Sequence, residues 1–237
     1  MDDAPEVSFV IPVFNEEPIL RAAIVELREQ LALHALHYEI VLAENGSRDQ
    51  TAELARALGV SYPEVRLTQS PEPNYGRALR EGILRARGRF VICEEIDLCD
   101  VDFHLQALAA LRADQADLVI GSKLIGGARD ERPAFRHAAS LAYTALLRVL
   151  FDFRGTDTHG LKAFRRTTLL PIVESCHVER DVFASELVIR AYREPLRVIE
   201  LPVRVREKRP PSTNLLKRLP GVARSLLQLT WAIRVKR

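Results

Sequence analysis

Short apolar runs alternate with amphipathic stretches through the first half of the chain. Val7-Ser8-Phe9-Val10-Ile11 reads as a strand stopped by Pro12, and Tyr38-Glu39-Ile40-Val41-Leu42, Val65-Arg66-Leu67 and Phe90-Val91-Ile92-Cys93 read as three more. Between them lie helical patterns. The first follows Pro18, with Ile19, Ala23, Leu27 and Leu31 at helical spacing. A second runs around Asp49–Leu58, and a third from Arg77 to Arg87, ended by Gly88 as a C-terminal glycine. A helix over Phe103–Arg112 and a strand over Leu118–Gly121 complete the alternation. Strands separated by helices predict βαβ units and an α/β fold with a mostly parallel sheet flanked by helices.

The second half is less regular. Gly126–Pro133 reads as a mobile loop, followed by a helix over Arg136–Phe151, the polar segment Gly155–Gly160, a helix over Val182–Arg193 and a strand over Leu196–Val203. At the end, Leu215, Leu219, Val222, Leu226, Leu229 and Ile233 recur at spacings of four and three, with Pro220 as the first position of the principal helix.

Ligands of open parallel sheets bind beyond the carboxyl ends of the strands. Three polar turns fall there: Asn15-Glu16-Glu17, Glu44-Asn45-Gly46-Ser47, and the acidic run Glu94, Glu95, Asp97 and Asp100. Crowded carboxylates repel one another. They are explained by a divalent cation, by a polyhydroxyl ligand, or by plain hydration on a turn. Hard oxygen ligands suit Mg²⁺ or Mn²⁺, which take one or two carboxylates plus substrate phosphates.

Composition narrows the setting. A chain of 237 residues with 47% hydrophobic side chains forms one large domain or two small ones. Three cysteines make no disulfide framework, and Cys99 with His104 lacks structural zinc spacing, so a reducing cytosol is the expected compartment. No apolar leader or bilayer-length stretch is visible, which predicts a cytoplasmic protein, soluble or peripheral on the cytoplasmic membrane face. Net charge is only +2, but Arg204–Arg237 carries ten Lys/Arg against the single acid Glu207, leaving residues 1–203 with 24 basic and 31 acidic side chains. A basic tail on an acidic body calls for a polyanionic partner. Nucleic acid is the weaker choice, because no aromatic-rich sheet or reading motif accompanies the charge. The tail is a basic, apolar-faced helix that either lies in a membrane interface or packs on the body or a second copy.

Motif order identifies a resemblance. Val10-Ile11-Pro12-Val13-Phe14-Asn15-Glu16 resembles the opening strand of family 2 inverting glycosyltransferases of the GT-A fold. Glu44-Asn45-Gly46-Ser47-Arg48-Asp49-Gln50-Thr51 resembles that family's Asp-Asp-Gly-Ser-x-Asp-x-Thr, and Asn74-Tyr75-Gly76-Arg77-Ala78 with Gly82 and Gly88 its glycine-punctuated helix. Glu95-Ile96-Asp97 falls at its Asp-x-Asp metal motif. Gly121-Ser122-Lys123 and Asp157-Thr158-His159-Gly160-Leu161-Lys162-Ala163 resemble segments of the dolichyl-phosphate mannosyltransferase branch. The departures are Glu95 for the first metal Asp, Glu44-Asn45 for Asp-Asp, Cys99 for a Gln, and Lys123 for an Arg that grips phosphate bidentately.

The resemblance implies a GT-A domain over residues 1–206, a basic amphipathic segment over 207–237, and transfer of a sugar from a GDP- or UDP-sugar to a polyprenyl or dolichyl phosphate. It implies nucleotide contacts from Pro12, Phe14, Asn15, Glu16, Glu44, Asn45, Gly46 and Arg77, and metal ligation by Glu95 and Asp97, with Asp97 also counted as catalytic. Lys123, Arg132 and Arg136, with Arg129, form an expected acceptor-phosphate pocket. Were the acceptor a hydroxyl, Asp157, Asp181 or Glu186 would take its proton. Plainer roles stand beside these: Asn15 as a helix cap, Asp181 and Glu186 as ordinary helix residues, and His159 as a structural histidine. Two rival functions also stand: a family member acting on a soluble or protein hydroxyl, and a non-catalytic nucleotide-sugar scaffold.

Overall fold

The computed structural model describes residues 4–180, 182–205 and 215–234, with side chains in the last segment at 221 and from 224 onward. Four strands, β1 (Val7–Val13), β2 (Tyr38–Asn45), β3 (Val65–Ser70) and β4 (Phe90–Cys93), alternate with α1 (Leu20–Ala32), α2 (Thr51–Ser61) and α3 (Tyr75–Arg85). Then come α4 (Val101–Arg112), β5 (Leu118–Ser122), β6 (Arg129–Asp130), α5 (Ala134–Phe151), β7 (Lys162–Arg165), α6 (Arg166–Ser175), α7 (Phe183–Arg193), β8 (Val198–Pro202), β9 (Arg204–Val205) and α8 (Leu215–Arg234).

Seven strands form one sheet in the order β3-β2-β1-β4-β7-β5-β8, parallel except for β7; β6 and β9 pair separately. Alternation along β1 divides the core. Phe9 and Ile11 face a layer that includes Ile24 and Leu27 of α1 and Leu108 of α4. Val10 faces the opposite layer, with Leu79 of α3, Leu169 of α6 and Leu187 of α7. Leu229, Ala232 and Ile233 of α8 join that second layer, so the end of the tail helix packs on the sheet domain.

The α/β architecture agrees with the sequence reading, and several details correct it. β1 continues through Pro12 to Val13. β4 has already ended beside Val10, so the missing proline N–H breaks no ladder on that side. Helix α1 starts at Leu20 and buries Leu20, Ile24, Leu27 and Leu31, one residue out of phase with the expected Ile19 and Ala23. Helix α3 ends at Arg85 with an extended Ala86, so Gly88 is not its terminator. Strand β7 and helix α6 had no expected counterpart. Pro220 falls inside α8 rather than at its first position. Asp181, the proposed boundary at 206/207, Lys236 and Arg237, and the side chains of Leu215, Arg218, Leu219 and Val222 lie outside the described residues.

Candidate active site

The carboxyl edges of β2, β1, β4 and β5, with the start of antiparallel β7, bring the predicted segments to one rim. Register fixes this. Val13 of β1 stands opposite Glu44, Val10 opposite Cys93, and Cys93 opposite Lys162. Asn15, Glu44, Glu95, Asp97, Lys123 and Asp157 therefore follow neighbouring strand ends.

The loops after β1 and β2 are stitched together. Asn15 sits at φ 53°, its N–H donating to Ser47 Oγ at 3.0 Å, while its Oδ1 accepts from the Arg48 N–H at 2.9 Å. Its side chain does not cap α1, whose N-cap residue is Ile19. The Glu16 N–H donates to Thr51 Oγ1 at 2.8 Å, and Glu44 Oε1 accepts from the Ser47 N–H at 2.6 Å. Gly46 adopts φ 68°, a left-handed conformation suited to glycine. The Asn45 carboxamide accepts from the Asn74 N–H, and Asn74 caps α3 through the Arg77 N–H. This half is a rigid double loop with Phe14 and Asn15 exposed on it and Pro12 half-buried. Arg77 is paired with Glu179 at 2.9 Å on the surface, holding the segment before α7 against the start of α3.

The four acids after β4 divide by role. Glu94 is buried and paired with the fully buried His104, and its other oxygen accepts from the Glu95 N–H. Asp100 caps α4 by accepting from the Phe103 N–H at 3.0 Å. That leaves Glu95 and Asp97 for the cleft. Residues 96–98 form a turn, not an extended segment, yet Ile96 still points inward while Glu95 is exposed and Asp97 half-buried. Crowding by surrounding protein, then the charge of Asp97, raises the Glu95 carboxyl to about 7 against the opposing pull of Lys162 and Lys123. Tyr75, the first residue of α3, lies beside these acids. Its phenol is pushed well above its ordinary value by burial and then by Glu95.

Across the rim, Lys123 Nζ donates to Asp157 Oδ2 at 2.5 Å, and the His159 N–H donates to Asp157 Oδ1 at 2.9 Å. Burial opposes the Asp157 charge, but Lys123 and the His159 N–H outweigh it and hold the carboxyl below its ordinary value. Arg132 grips Asp130 with two bonds of 2.7 Å, and His137 adds a third contact at 3.1 Å. A cavity of about 150 Å³ brings Glu95, Lys123, Arg132, Asp157 and His159 together against Leu98 and Val203. An adjoining hollow of about 510 Å³ includes Asp97, Asp100 and Arg129. Arg136 lies in the first turn of α5. A further hollow of about 940 Å³ between the ends of α5, α6, α7 and α8 contains none of the predicted site residues.

Glu186 corrects the sequence reading. It is fully buried, with Oε2 accepting from the His177 and Val178 N–H groups at 3.0 and 2.7 Å and Oε1 held by Arg190 at 2.8 Å. With no face on the cleft, it cannot take an acceptor's proton. Lys162 was missed as a site residue. It is buried at the start of β7, its Nζ donating to the Gly160 carbonyl at 2.7 Å, and burial lowers its ammonium below the usual value while Cys93, Asp157 and Glu95 pull the other way. A lysine entering a short strand beside a glycine was the available signal.

The model of glycosyl transferase family 2 matches residues 8–170, more than half of the chain. The chain belongs to glycosyl transferase family 2. Among relatives, this family 2 chain is 31% identical to a dolichyl-phosphate beta-glucosyltransferase of Drosophila melanogaster over 224 residues, covering 86% of this chain and 68% of that one. It is 28% identical to glycosyltransferase AglD of Haloferax volcanii over 98% of its own length. It is 26% identical to dolichyl-phosphate beta-glucosyltransferase ALG5C of Trichomonas vaginalis over 83% of its own length. It spans only 38% and 62% of the length of these last two proteins. Glucosyl-3-phosphoglycerate synthase of Mycobacterium tuberculosis, in complex with phosphoglyceric acid, superposes with a TM-score of 0.69 at 18% identity, covering 96% of this chain and 79% of that one. The same enzyme with Mn²⁺, UDP and phosphoglyceric acid gives 0.66 at 19% identity, covering 95% and 78%. These two likenesses show a shared GT-A fold.

Proposed function

We propose that this family 2 chain is an inverting glycosyltransferase that moves a hexose from a UDP-sugar to a polyprenyl or dolichyl phosphate. The observation that carries the reading is the meeting of Glu95 with Lys123, Arg132 and Asp157 in one cavity. Glu95 on one wall, with Asp97 in the adjoining hollow, would hold a cation for a donor diphosphate, and Lys123 and Arg132 on the other suit an anionic acceptor. The names of the Drosophila and Trichomonas relatives support the lipid phosphate. The complexes of the Mycobacterium enzyme with UDP and with UDP-glucose favour UDP over GDP.

Glu95 and Asp97 fit a divalent cation. Among the described residues no group of three or more His, Cys, Asp or Glu side chains forms a closed metal cage. A Mg²⁺ or Mn²⁺ site in such an enzyme needs only one or two carboxylates, the diphosphate completing it. Asp97 is close enough to Glu95 to raise its carboxyl, after the effect of burial, and a cation held by both would relieve that repulsion. When bound, the metal neutralises negative charge on the departing diphosphate.

Phe14, Asn15 and Glu44 border the nucleoside side of the rim. Lys123, Arg132 and Arg136 hold the acceptor phosphate. Its oxygen bonds to the anomeric carbon from the face opposite the diphosphate, while the old C–O bond breaks and its electron pair leaves on UDP. A phosphate acceptor carries no proton that must be removed. This agrees with Asp157 being tied to Lys123 and Glu186 being sealed in the core, and it disfavours the hydroxyl-acceptor reading. The basic end of α8 meets the membrane surface that supplies the lipid.

The test is a donor and metal screen. UDP-glucose with Mn²⁺ raises the thermal midpoint more than GDP-mannose does, by mass action on the folded state. The Asp97→Ala protein loses the Mn²⁺-dependent part of that shift and at least about a hundredfold in turnover. Full activity in Asp97→Ala removes the metal assignment, and absence of any sugar-nucleotide turnover leaves the scaffold reading.

A further inference from the structure

Helix α5 is amphipathic in the wrong direction for a helix covering a core. Every exposed position from Ala134 to Val149 is Ala, Leu, Val or Phe except Arg148. Phe135 is 53% exposed, Leu141 49% and Val149 81%. Its polar side chains point inward instead. Thr144 Oγ1 donates to the Thr156 carbonyl at 2.9 Å, the Tyr143 hydroxyl meets Ser185 Oγ at 3.0 Å, and Ser140 accepts from Arg132 at 3.3 Å. The Tyr143 ring stands 5.2 Å from that of His159, edge to face. A surface helix normally turns its apolar stripe to the core, and a continuous exposed stripe marks a contact with protein or lipid.

Three observations choose lipid. The first is charge. Helices α5 and α8 together carry six Lys/Arg and no Asp or Glu, the composition that anionic headgroups attract. The second is continuity. Arg234 at the end of α8 donates to the Leu150 carbonyl at 2.6 Å. On the face of α8 shared with Arg234, one turn apart, stand Leu227 (73% exposed) and Trp231 (50% exposed), and tryptophan favours a membrane–water boundary. The third is position. Arg132, which lines the acceptor cavity, immediately precedes Pro133 at the start of α5, three residues before exposed Phe135. Among the described residues no helix is long and apolar enough to cross a membrane, so this surface would lie on a bilayer, not span it.

We infer that the outer face of α5, flanked by Leu227 and Trp231 of α8, is the surface on which the protein lies on an anionic bilayer, with the acceptor cavity opening beside its N-terminal turn. The membrane contact stands on α5 itself. Its use in delivering the acceptor rests on the proposed lipid-phosphate activity.

Co-sedimentation of the full chain with phosphatidylcholine vesicles, with and without phosphatidylglycerol, tests the contact. Wild-type protein partitions onto the anionic vesicles. The double variant Leu146→Glu/Val149→Glu, and Val149→Glu alone, keep the wild-type thermal midpoint because both sites face solvent. Each lowers partitioning, the pair by at least about tenfold. Turnover on a short, water-soluble isoprenyl phosphate stays unchanged in these variants, while turnover on long-chain polyprenyl phosphate in vesicles falls with partitioning. Wild-type partitioning by the double variant overturns the inference. So does a wild-type dimer in sedimentation velocity that the double variant dissociates without affecting vesicle binding, since α5 would then face a second copy. If partitioning depends on α5 but neither isoprenyl phosphate is glycosylated, the membrane surface stands and the acceptor reading falls.

Discussion

Replacing Glu186 by alanine separates a structural carboxylate from a catalytic one. The side chain has no solvent-exposed surface and three hydrogen-bond partners: the His177 N–H, the Val178 N–H and the Arg190 guanidinium. Alanine strands two backbone donors, each costing about 1–3 kcal/mol when left unsatisfied in the interior. It also removes the counter-charge of Arg190, which keeps its bond to the Ala232 carbonyl at 2.9 Å, so its loss is smaller than that of a fully orphaned buried ion. Local relaxation recovers part of this, and we expect a net cost of about 3–4 kcal/mol, a large share of the 5–15 kcal/mol typical of a domain. With an m-value of about 3 kcal/mol per molar urea, the unfolding midpoint falls by about 1 M. Glu186→Gln retains an acceptor for the two N–H groups and loses about half as much. Turnover per folded molecule, measured well below either midpoint, stays within about threefold of wild type, because the group touches no reacting atom. The reasoning is refuted if Glu186→Gln unfolds at the wild-type urea concentration while its turnover drops a hundredfold.

Three other outcomes follow from buried geometry. In the Glu94–His104 pair, His104→Leu and Glu94→Leu should each destabilise by about 2–4 kcal/mol, and the double variant by less than the sum, because a single replacement leaves a buried polar partner alone; additive urea unfolding energies would reject the pairing. Asp130 is held below the usual carboxylate range, first by Arg132 and then by His137, so its contribution is fully present above about pH 4 and is lost as pH falls through the lower folded value. The stability gap between wild type and Asp130→Asn should be flat from about pH 5 to 8, near 2 kcal/mol, and close below about pH 4; a gap that widens in acid contradicts the assignment. Gly160→Ala would drive a Cβ into the Gly121 carbonyl oxygen, a backbone atom that cannot move without disturbing the β5–β7 ladder. Soluble yield or the thermal midpoint should fall sharply, and wild-type melting would show that the loop is not held against β5.

The N-terminal half was readable because its elements are regular and long enough to show period. Its strands alternate with helices of 11 to 13 residues, and the rule that ligands collect at carboxyl strand ends does the rest. Beyond Ser122 the pattern still shows α5, α7 and β8, and what it misses it misses for physical reasons. Strand β7 has four residues, β6 and β9 two each, and β7 inserts antiparallel between β4 and β5, a pairing that no local pattern specifies. Helix α6 carries Pro171 in its interior, which argues locally against a helix. Within the acidic run, sequence showed four carboxylates but not which were spent. The partner of Glu94 is ten residues away on α4, and Asp100 becomes a cap only once α4 is known to start at Val101. The expected membrane helix was sought in the tail because the tail is basic. Periodicity located α5 but could not say which way its apolar stripe faces, since the same spacing serves a core or a lipid surface.

That ambiguity bears on how the two walls of the cleft divide their work. The proposed donor wall is fixed by backbone: Asn15, Glu16 and Asn45 each bond a neighbouring loop through a main-chain N–H, their own or its own, and Glu44 ties its own loop through the Ser47 N–H. The proposed acceptor wall is fixed by side chains, with Lys123 on Asp157, Arg132 on Asp130, and α5 tied to the Thr156 loop through Thr144. Ion pairs and hydroxyl contacts are exchanged at lower cost than a backbone ladder. On the proposed function, an incoming phosphate would compete with Asp157 for Lys123 and with Asp130 for Arg132, contacts between side chains that leave the sheet intact. Each pair would then keep its cation neutralised and oriented until that anion arrives. Helix α5 carries this wall on its inner side and an apolar surface on its outer side. On the proposed function and the inferred membrane contact, this one helix would couple where the protein lies to where the acceptor phosphate can reach, about one helix diameter, 10 Å, away.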